Sequence, residues 1–356
     1  MKKKNVISIE DKFLLDQKIY YNKNQKKYIL FSYISFLFIF LLLFLNIYLA
    51  IKFFNCQINK DIICKCKSEE GKIQDYPYKK INNSSDYISF NNIEAKDLNM
   101  LRLIENEIKN TAQLMPEEQK FLHGLIRTIK SKKIVEIGVA RGGSSVLILN
   151  AIRDIKGAKL YSIDKSIYCY LERKKKSGYF VQEKFPELMN KWTLYAGGLT
   201  AEFIETIGDE IDLVFIDTVH TTPGEMLDWL MVLPFLKNEA IVLFHDTFVL
   251  YYNNKVVKNK RHTSNNQLIC YIRGELILPH YGNSVFFRNI GALKLSPEQQ
   301  NYYYQYFLAL GIQWEYMPNE NELKIMRDFF MKYYGKKYVE IYDNAVQKNK
   351  IYLNKY

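Results

Sequence analysis

The length, composition and charge of the chain already narrow the classes of protein to which it can belong. It has 356 residues, of which 48% are hydrophobic and 25% are charged, with five cysteines and a net charge of +12. This composition supports a packed core and excludes disordered, collagen-like and small disulfide-rich proteins. Residues 1–27 hold 8 basic and 3 acidic side chains, residues 28–248 hold 27 of each, and residues 249–356 hold 15 and 8. A neutral middle between basic ends argues against nucleic acid as a partner.

The N-terminal part of the sequence has the pattern of a membrane anchor. Residues 28–51 carry no charged side chain, and lysines stand on both sides of them. A helix of this length extends over about 36 Å, enough to cross a hydrocarbon core of about 30 Å. We therefore predict a basic head at residues 1–27, a transmembrane helix at residues 28–52 and a polar stalk at residues 53–98. The small positive excess on the head favours an external location for the rest of the chain.

Residues 99–296 show the alternation that is typical of an α/β domain. Short β-prone runs alternate with amphipathic stretches of helix length, which predicts a Rossmann-like, doubly wound and mostly parallel sheet. Near the end of the domain, the segment GELILPHYGNSVFFRNIGALKL predicts an antiparallel hairpin at one edge of this sheet. Residues 297–356 are rich in tyrosine and have helical spacing, so we predict a helical C-terminal extension.

The first predicted strand of this domain ends in a glycine-rich loop that reads EIGVARGGSS from Glu136 onward. Glycines let the backbone turn sharply and approach a ligand closely, and the following helix presents its N-terminal N–H groups. We predict that cofactor-binding positions lie at Glu136, Gly138, Ala140, Gly142 and Ser144. Ala140 stands where the dinucleotide-binding fingerprint has glycine, which argues against a nicotinamide cofactor.

Ionisable side chains follow three further predicted strands. Asp164 ends the second strand, Asp217 and His220 follow the fourth, and His245 and Asp246 end the fifth. Ligands bind at the carboxyl ends of parallel strands, so these side chains predict a site. Neutral imidazole accepts a proton near pH 7, so His220 is the predicted general base, with His245 and Asp246 as further catalytic candidates. A hydrogen-bonded core histidine is the alternative for His245.

The order and spacing of four motifs resemble those of bacterial class I S-adenosylmethionine-dependent methyltransferases of the cephalosporin-hydroxylase-like and sugar O-methyltransferase-like group. These motifs are EIGVARGGSS, YSID, FIDTVHTTPGEMLDWLMVLPFL and FHDT. The resemblance implies S-adenosylmethionine as the cofactor, with Asp164 accepting the ribose hydroxyls and Asp217 contributing to the same site. It also implies a Mg²⁺ site at Asp217 and Asp246. Relatives carry an acid after the third strand where this chain has Gly198, which puts the adenine contacts in question.

The activity that this resemblance implies is methylation of a hydroxyl by a membrane-anchored enzyme, with a small molecule, sugar or glycan as the acceptor. S-adenosylmethionine is cytosolic, so the predicted domain faces the cytoplasm despite the charge bias of the head. Two alternatives remain, a Rossmann-like hydroxylase or oxidoreductase and a non-catalytic membrane-anchored binding module that retains the fold. Gly198 favours the second of these alternatives.

Overall fold

The computed structural model describes five stretches of the chain, residues 90, 92–109, 111–247, 271–280 and 289–354. The predicted head, the predicted membrane span and most of the predicted stalk lie outside these residues. Among the helices of the described stretches, none combines the length and the apolar character that a membrane crossing requires. Ile93 is buried in the core at 2% exposure, so the domain begins within the predicted stalk rather than at residue 99.

A seven-stranded sheet forms the centre of the fold. In chain order its strands are β1 (Lys133–Ile137), β2 (Lys159–Asp164), β3 (Trp192–Ala196), β4 (Ile211–Ile216), β5 (Leu236–His245), β6 (Gly274–Ile277) and β7 (Ile290–Leu295). Their spatial order is β3-β2-β1-β4-β5-β7-β6. The first five strands are parallel, whereas β7 runs antiparallel to both β5 and β6. The predicted Rossmann-like, mostly parallel sheet is thus confirmed, and an antiparallel pair lies at one edge.

Helices flank the sheet. In the described residues they are α1 (Leu98–Arg102), α2 (Glu105–Ile108), α3 (Pro116–Ile129), α4 (Gly143–Ile152), α5 (Tyr179–Lys184), α6 (Thr200–Ile207), α7 (Gly224–Val232), α8 (Tyr303–Ala309), α9 (Glu320–Tyr333) and α10 (Lys336–Leu353). Short 3-10 turns lie at Ile93–Ala95, Pro186–Lys191, Leu233–Phe235 and Gln299–Tyr302. Helices thus follow β1, β3 and β4 directly, as a doubly wound fold requires.

Two apolar clusters enclose the sheet, and together they explain why its parallel strands are continuous apolar runs. One cluster joins the strands to α3, α4 and α5 through side chains such as Phe121, Leu147 and Val181. The other joins the strands to α6, α7 and the C-terminal helices, with Trp229 and Phe307 among its members. The C-terminal helices therefore share a core with the sheet.

The tyrosine-rich C-terminal segment is an aromatic core rather than a surface. The ring of Phe307 lies 5.3 Å from that of Phe330 and 4.9 Å from that of Tyr334, in edge-to-face pairs. Tyr334 donates its hydroxyl to the carbonyl of Leu230, 2.6 Å away on α7. Such aromatic pairs contribute more to stability than the burial of their surface area alone. The abundance of tyrosine here is explained by packing of α8, α9 and α10 against the sheet domain.

Candidate active site

The glycine-rich loop connects β1 to α4 by a tight left-handed turn. Gly138 and Gly142 have φ values of +97° and +93°, which glycine adopts without steric cost. A Cβ at Gly138 would lie 1.9 Å from the carbonyl oxygen of Asp217, so the loop passes directly against the end of β4. Ala140 also has a positive φ of 49°. The sharp backbone turn that the sequence predicts is therefore present.

Glu136 lies beneath this loop and is completely buried. Its carboxylate accepts hydrogen bonds of 2.6 Å from the hydroxyls of Ser144, Ser145 and Ser162. Burial raises the pKa of Glu136 to about 7, and the three hydroxyl donors only partly oppose this effect. Glu136 and Ser144, both predicted to bind the cofactor, are thus hydrogen-bonded to each other in this structure. Their polar atoms bond to each other and support the loop from below, because the β1 side chain at this position points into the core.

Replacing Glu136 tests this supporting role. We expect Glu136→Leu to lower the free energy of unfolding by about 3 kcal/mol or more, because three buried hydroxyls lose their acceptor. Glu136→Gln should cost less, since an amide can accept from one hydroxyl and donate to another. Urea unfolding of both variants measures the difference, and equal losses would contradict the role.

The raised pKa of Glu136 gives a second signature of the same carboxyl group. Its folded-state value of about 7 exceeds its unfolded value of 4.5, so its contribution to stability is complete below pH 4.5 and declines as pH rises to 7. The wild-type protein should lose stability over this range relative to Glu136→Gln. Urea unfolding at the two ends of the range measures the change, and parallel pH profiles would contradict the shift.

Asp164 closes the loop from the tip of β2. One of its carboxylate oxygens accepts the N–H groups of Val139 and Ala140 at 3.1 and 3.0 Å, and the other accepts the N–H of Ser166 at 2.8 Å. A carboxylate has about four acceptor positions, so about one remains for a ligand hydroxyl. The predicted ribose-binding residue thus lies at the loop, with most of its capacity used by backbone.

Two side chains of α6 crowd the position of Gly198 in the loop after β3. A Cβ at this position would lie 2.7 Å from a carboxylate oxygen of Glu202 and 2.8 Å from the ring of Phe203. Phe203 in turn stacks on Tyr195 with ring centroids 5.3 Å apart. The Glu202 carboxylate accepts the N–H of Leu199 at 2.7 Å, which begins α6. An acid therefore stands beside Gly198, supplied by the next helical turn.

Beyond the ends of β4 and β5 the structure brings the remaining predicted residues together. His220 Nε2 lies 2.9 Å from Asp246 Oδ2 and 3.7 Å from Asp217 Oδ1, and His220 Nδ1 lies 3.1 Å from Glu225 Oε1. His245 Nδ1 lies 3.4 Å from Asp217 Oδ1 and 3.5 Å from Asp246 Oδ1. One ligand atom from each of Asp217, His220 and Asp246 falls within 4.8 Å of the others. We call these three residues the carboxylate–imidazole cluster.

The carboxylates hold both histidines in their charged form. Burial lowers the pKa of His220, but the hydrogen bonds to Asp246 and Glu225 outweigh burial and raise it to about 11. Burial is likewise outweighed at His245, where Asp217 helps to raise the pKa well above 6.5. Burial alone would raise the pKa of Asp246, but the His220 hydrogen bond and the His245 charge lower it to about 2. An imidazolium cannot accept a proton, so in this charged state His220 would act as a hydrogen-bond donor rather than as the predicted general base.

Three polar residues that the strand ends alone do not predict complete this region. Glu118, in the first turn of α3, has its Oε2 atom 3.3 Å from His245 Nε2. Asn289, next to β7, donates a 2.7 Å hydrogen bond to Asp246 Oδ1. Glu225, at the start of α7, is fully buried against His220. The sequence feature that could have identified Glu225 is an acid at the start of the apolar run GEMLDWLMVLPFL.

The loop that carries His220 is fastened to the C-terminal helices. Thr222 donates its hydroxyl to the carbonyl of Gln313 at 2.8 Å, and its own carbonyl accepts the N–H of Glu315 at 2.9 Å. Trp314, between these two residues, is fully buried, and its N–H donates to the side chain of Asn349 at 2.8 Å. The segment before α9 therefore fixes the position of the loop after β4.

The carboxylate–imidazole cluster has a donor set that suits a divalent cation. In and around the cluster, the carboxyl groups of Asp217, Asp246, Glu225 and Glu118 lie against the imidazoles of His220 and His245. Glu118 Oε1 is buried with no hydrogen-bond partner in the described part of the chain. Carboxylate oxygens suit Mg²⁺, whereas an imidazole ligand shifts the preference toward Mn²⁺ or Zn²⁺. His220 must release its proton to serve as a ligand, so binding depends on pH. The residues present thus fit a divalent cation at Asp217 and Asp246, with His220 as a third candidate ligand.

One family model and several solved structures are similar to this chain. A family model described as a methyltransferase domain matches residues 135–247. No curated protein matches the chain. Similar solved structures include the O-methyltransferase TomG from Streptomyces achromogenes in complex with SAM, at 13% identity over 60% of this chain and 93% of that chain, with a TM-score of 0.39. SAH-bound PaMTH1 from Podospora anserina is similar at 15% identity over 55% of this chain and 88% of that chain, with a TM-score of 0.38.

The matched segment contains every residue that the sequence predicts for the site, whereas Glu118 of α3, which was not predicted, lies before it. It runs from β1 to the residue after Asp246, and so includes the glycine-rich loop, Asp164 and the carboxylate–imidazole cluster. The predicted activity class is confirmed by this match. Residues 135–247 thus match a methyltransferase domain, the class of activity that the sequence predicts.

Proposed function

We propose that this protein transfers a methyl group from S-adenosylmethionine to a hydroxyl of a sugar or glycan. The observation that carries the proposal is the position of the carboxylate–imidazole cluster beside the glycine-rich loop. Gly138 packs against the backbone of Asp217, so a donor on the loop and a hydroxyl at the cluster would be neighbours. Methyl transfer to oxygen requires mainly this alignment, together with stabilisation of the oxygen as it loses its proton.

On the cofactor side, the proposal assigns binding to the backbone of Gly138, Ala140 and Gly142. Their left-handed turn lets a ligand approach the first N–H groups of α4 closely. Asp164 retains about one acceptor position, which suits a ribose hydroxyl. Asp217 lies where loop and cluster meet and would contact donor and acceptor alike. S-adenosylmethionine itself supplies an electrophilic methyl group.

On the acceptor side, the abundance of carboxylates favours a hydroxyl-rich molecule. Asp217 and Asp246 can accept hydrogen bonds from sugar hydroxyls, which an apolar acceptor would leave unused. The His220 imidazolium would stabilise negative charge that develops on the reacting oxygen. A divalent cation held by Asp217 and Asp246 would make that hydroxyl more acidic, and His220 would join them as a ligand only in its deprotonated state, in place of its imidazolium role.

The proposal also includes anchoring to a membrane through residues 28–52, with the domain facing the cytoplasm. Its supports are the uncharged apolar run in the sequence and the cytosolic location of S-adenosylmethionine. A topology reporter fused after Tyr356 should be active on the cytoplasmic side. Activity confined to the other side would contradict this orientation.

Calorimetry of the full-length protein with S-adenosylhomocysteine tests the cofactor assignment. We expect binding by the wild type, weakened about tenfold or more by Asp164→Ala, because the loop loses its backbone acceptor as well as a ligand contact. Asp343→Ala removes another aspartate, a half-buried residue of α10 that is paired with Arg327, and should bind like the wild type. No binding by the wild type, with or without Mg²⁺, would overturn the proposed function, and unchanged affinity of Asp164→Ala would reject its ribose role.

A further inference from the structure

The loop between β2 and α5, residues 165–178, exposes bulky apolar side chains. Tyr168, Tyr170 and Leu171 have exposed fractions of 55%, 64% and 41%. Adjacent exposed side chains of this size mark interaction surfaces more often than chance positions do. The proposed methyl transfer gives them no role. We call residues 165–178 the tyrosine–lysine loop.

Hydrogen bonds hold these side chains outward. Cys169, between the two tyrosines, is fully buried, and its N–H donates to the carbonyl of Lys175 at 2.9 Å. Tyr168 and Lys176 form an antiparallel bridge. Side chains alternate between the two sides of an extended segment, so burial of Cys169 directs Tyr168 and Tyr170 to solvent. The exposure of the tyrosines is thus built into the loop.

The same loop is strongly basic. It contains five basic residues and one acidic residue, for a net charge of +4. Arg173, Lys174 and Lys176 are all exposed and follow directly after the apolar residues in the chain. The ion pairs found among the described residues involve none of these three. Their charges are therefore available to an anionic partner.

We propose that the tyrosine–lysine loop docks on an anionic membrane surface. Tyrosine and leucine side chains occupy the interface of a bilayer, and adjacent lysine and arginine side chains bind its anionic headgroups. Charge complementarity and the apolar side chains together select a lipid surface over a purely polar polyanion. The membrane anchor proposed at residues 28–52 would hold the same chain at a bilayer.

Docking would bring the cofactor site to the bilayer surface. The N–H of Gly178, at the end of the loop, donates to the carbonyl of Ala140 at 2.9 Å, and the N–H of Phe180 donates to that of Arg141 at 3.1 Å. The tyrosine–lysine loop is therefore joined directly to the glycine-rich loop. With the cofactor site at the bilayer, the methyl acceptor would be a molecule carried at the membrane surface. This statement about the acceptor rests on the proposed function, whereas the docking of the loop does not.

Hydrogen exchange of the full-length protein in lipid nanodiscs tests the proposal. Backbone amides of residues 165–178 should exchange at least about fivefold more slowly in discs of equal phosphatidylcholine and phosphatidylglycerol than in phosphatidylcholine alone, because each basic residue near an anionic surface adds about that factor. The triple variant Arg173→Glu, Lys174→Glu, Lys176→Glu should lose this difference. The double variant Tyr168→Ser, Leu171→Ser should reduce it.

A matched control reverses the charge of three exposed lysines near the amino ends of β1 and β2, at the opposite ends of the strands from the tyrosine–lysine loop. This variant, Lys130→Glu, Lys156→Glu, Lys159→Glu, should retain the wild-type difference in exchange between the two lipids. Equal exchange in the two lipids would overturn the proposal, as would slowing that survives in the loop triple variant. Slowing by single-stranded RNA but not by lipid would overturn it in favour of a nucleic acid. Urea unfolding of each variant reports folding, and S-adenosylhomocysteine binding reports the proposed function.

Discussion

Asp246→Asn should lower methyl transfer by about a hundredfold or more, because it removes a charge that positions the reacting groups and a candidate metal ligand. Asp246 Oδ2 lies 2.9 Å from His220 Nε2, and Asp246 Oδ1 accepts from Asn289 at 2.7 Å. An amide cannot accept on both of its arms, so one of these contacts is lost. The loop and Asp164 are untouched, so S-adenosylhomocysteine should still bind within a few-fold of wild type.

The measurement is turnover of S-adenosylmethionine with a panel of sugar and glycan acceptors, at several concentrations of Mg²⁺ and Mn²⁺. Asp343→Asn is the control, because Asp343 lies half-buried on α10, where it pairs with Arg327. Turnover by Asp246→Asn within about tenfold of wild type would reject the role of the cluster. Loss of S-adenosylhomocysteine binding in the same variant would instead indicate a general disruption of the site.

Gly138→Ala should destabilise the protein by about 3–5 kcal/mol and abolish cofactor binding. A left-handed φ of +97° is costly for alanine, and the new Cβ would lie 1.9 Å from the Asp217 carbonyl oxygen. Because this obstacle is backbone, it can move only if the end of β4 moves with it. Both the glycine-rich loop and the carboxylate–imidazole cluster would be displaced.

Gly157→Ala provides a matched control for the steric part of this effect. Gly157 also has a positive φ, of 77°, but no atom lies within 4 Å of its hypothetical Cβ. Its replacement should cost only about 1–2 kcal/mol, the strain of the backbone conformation. Thermal and urea unfolding of the two variants measure the difference. Similar losses would show that close approach to Asp217 is not what requires glycine at position 138.

The strand ends of the site could be predicted from the sequence because their pattern is local. Asp164, Asp217 and Asp246 each follow an apolar strand, and parallel pairing brings such positions to one edge. Glu118 and Asn289 reach the same region from α3 and from the antiparallel edge. No local pattern predicts that meeting, since it depends on how distant elements pack.

The chemical state of predicted residues was also beyond the sequence. Glu136 follows the motif spacing of a ligand-binding acid, yet its side chain faces three serine hydroxyls in the core. His220 has an ordinary pKa near 6.5 as an isolated side chain, and only the surrounding carboxylates raise it to about 11. A residue's identity can be read from the chain, but its protonation depends on neighbours that folding supplies.

The bonds between Thr222 and the segment before α9 impose an order on assembly. The loop with His220 lies in the middle of the chain, but the carbonyl of Gln313 and the N–H of Glu315 that hold it are synthesised almost a hundred residues later. Trp314 is held in turn by Asn349 on the last helix. During translation, the sheet's parallel strands can form before this support exists. We therefore expect the loop that carries His220 to take its final position only after the last helix has left the ribosome, so that a nascent chain would carry an incomplete site.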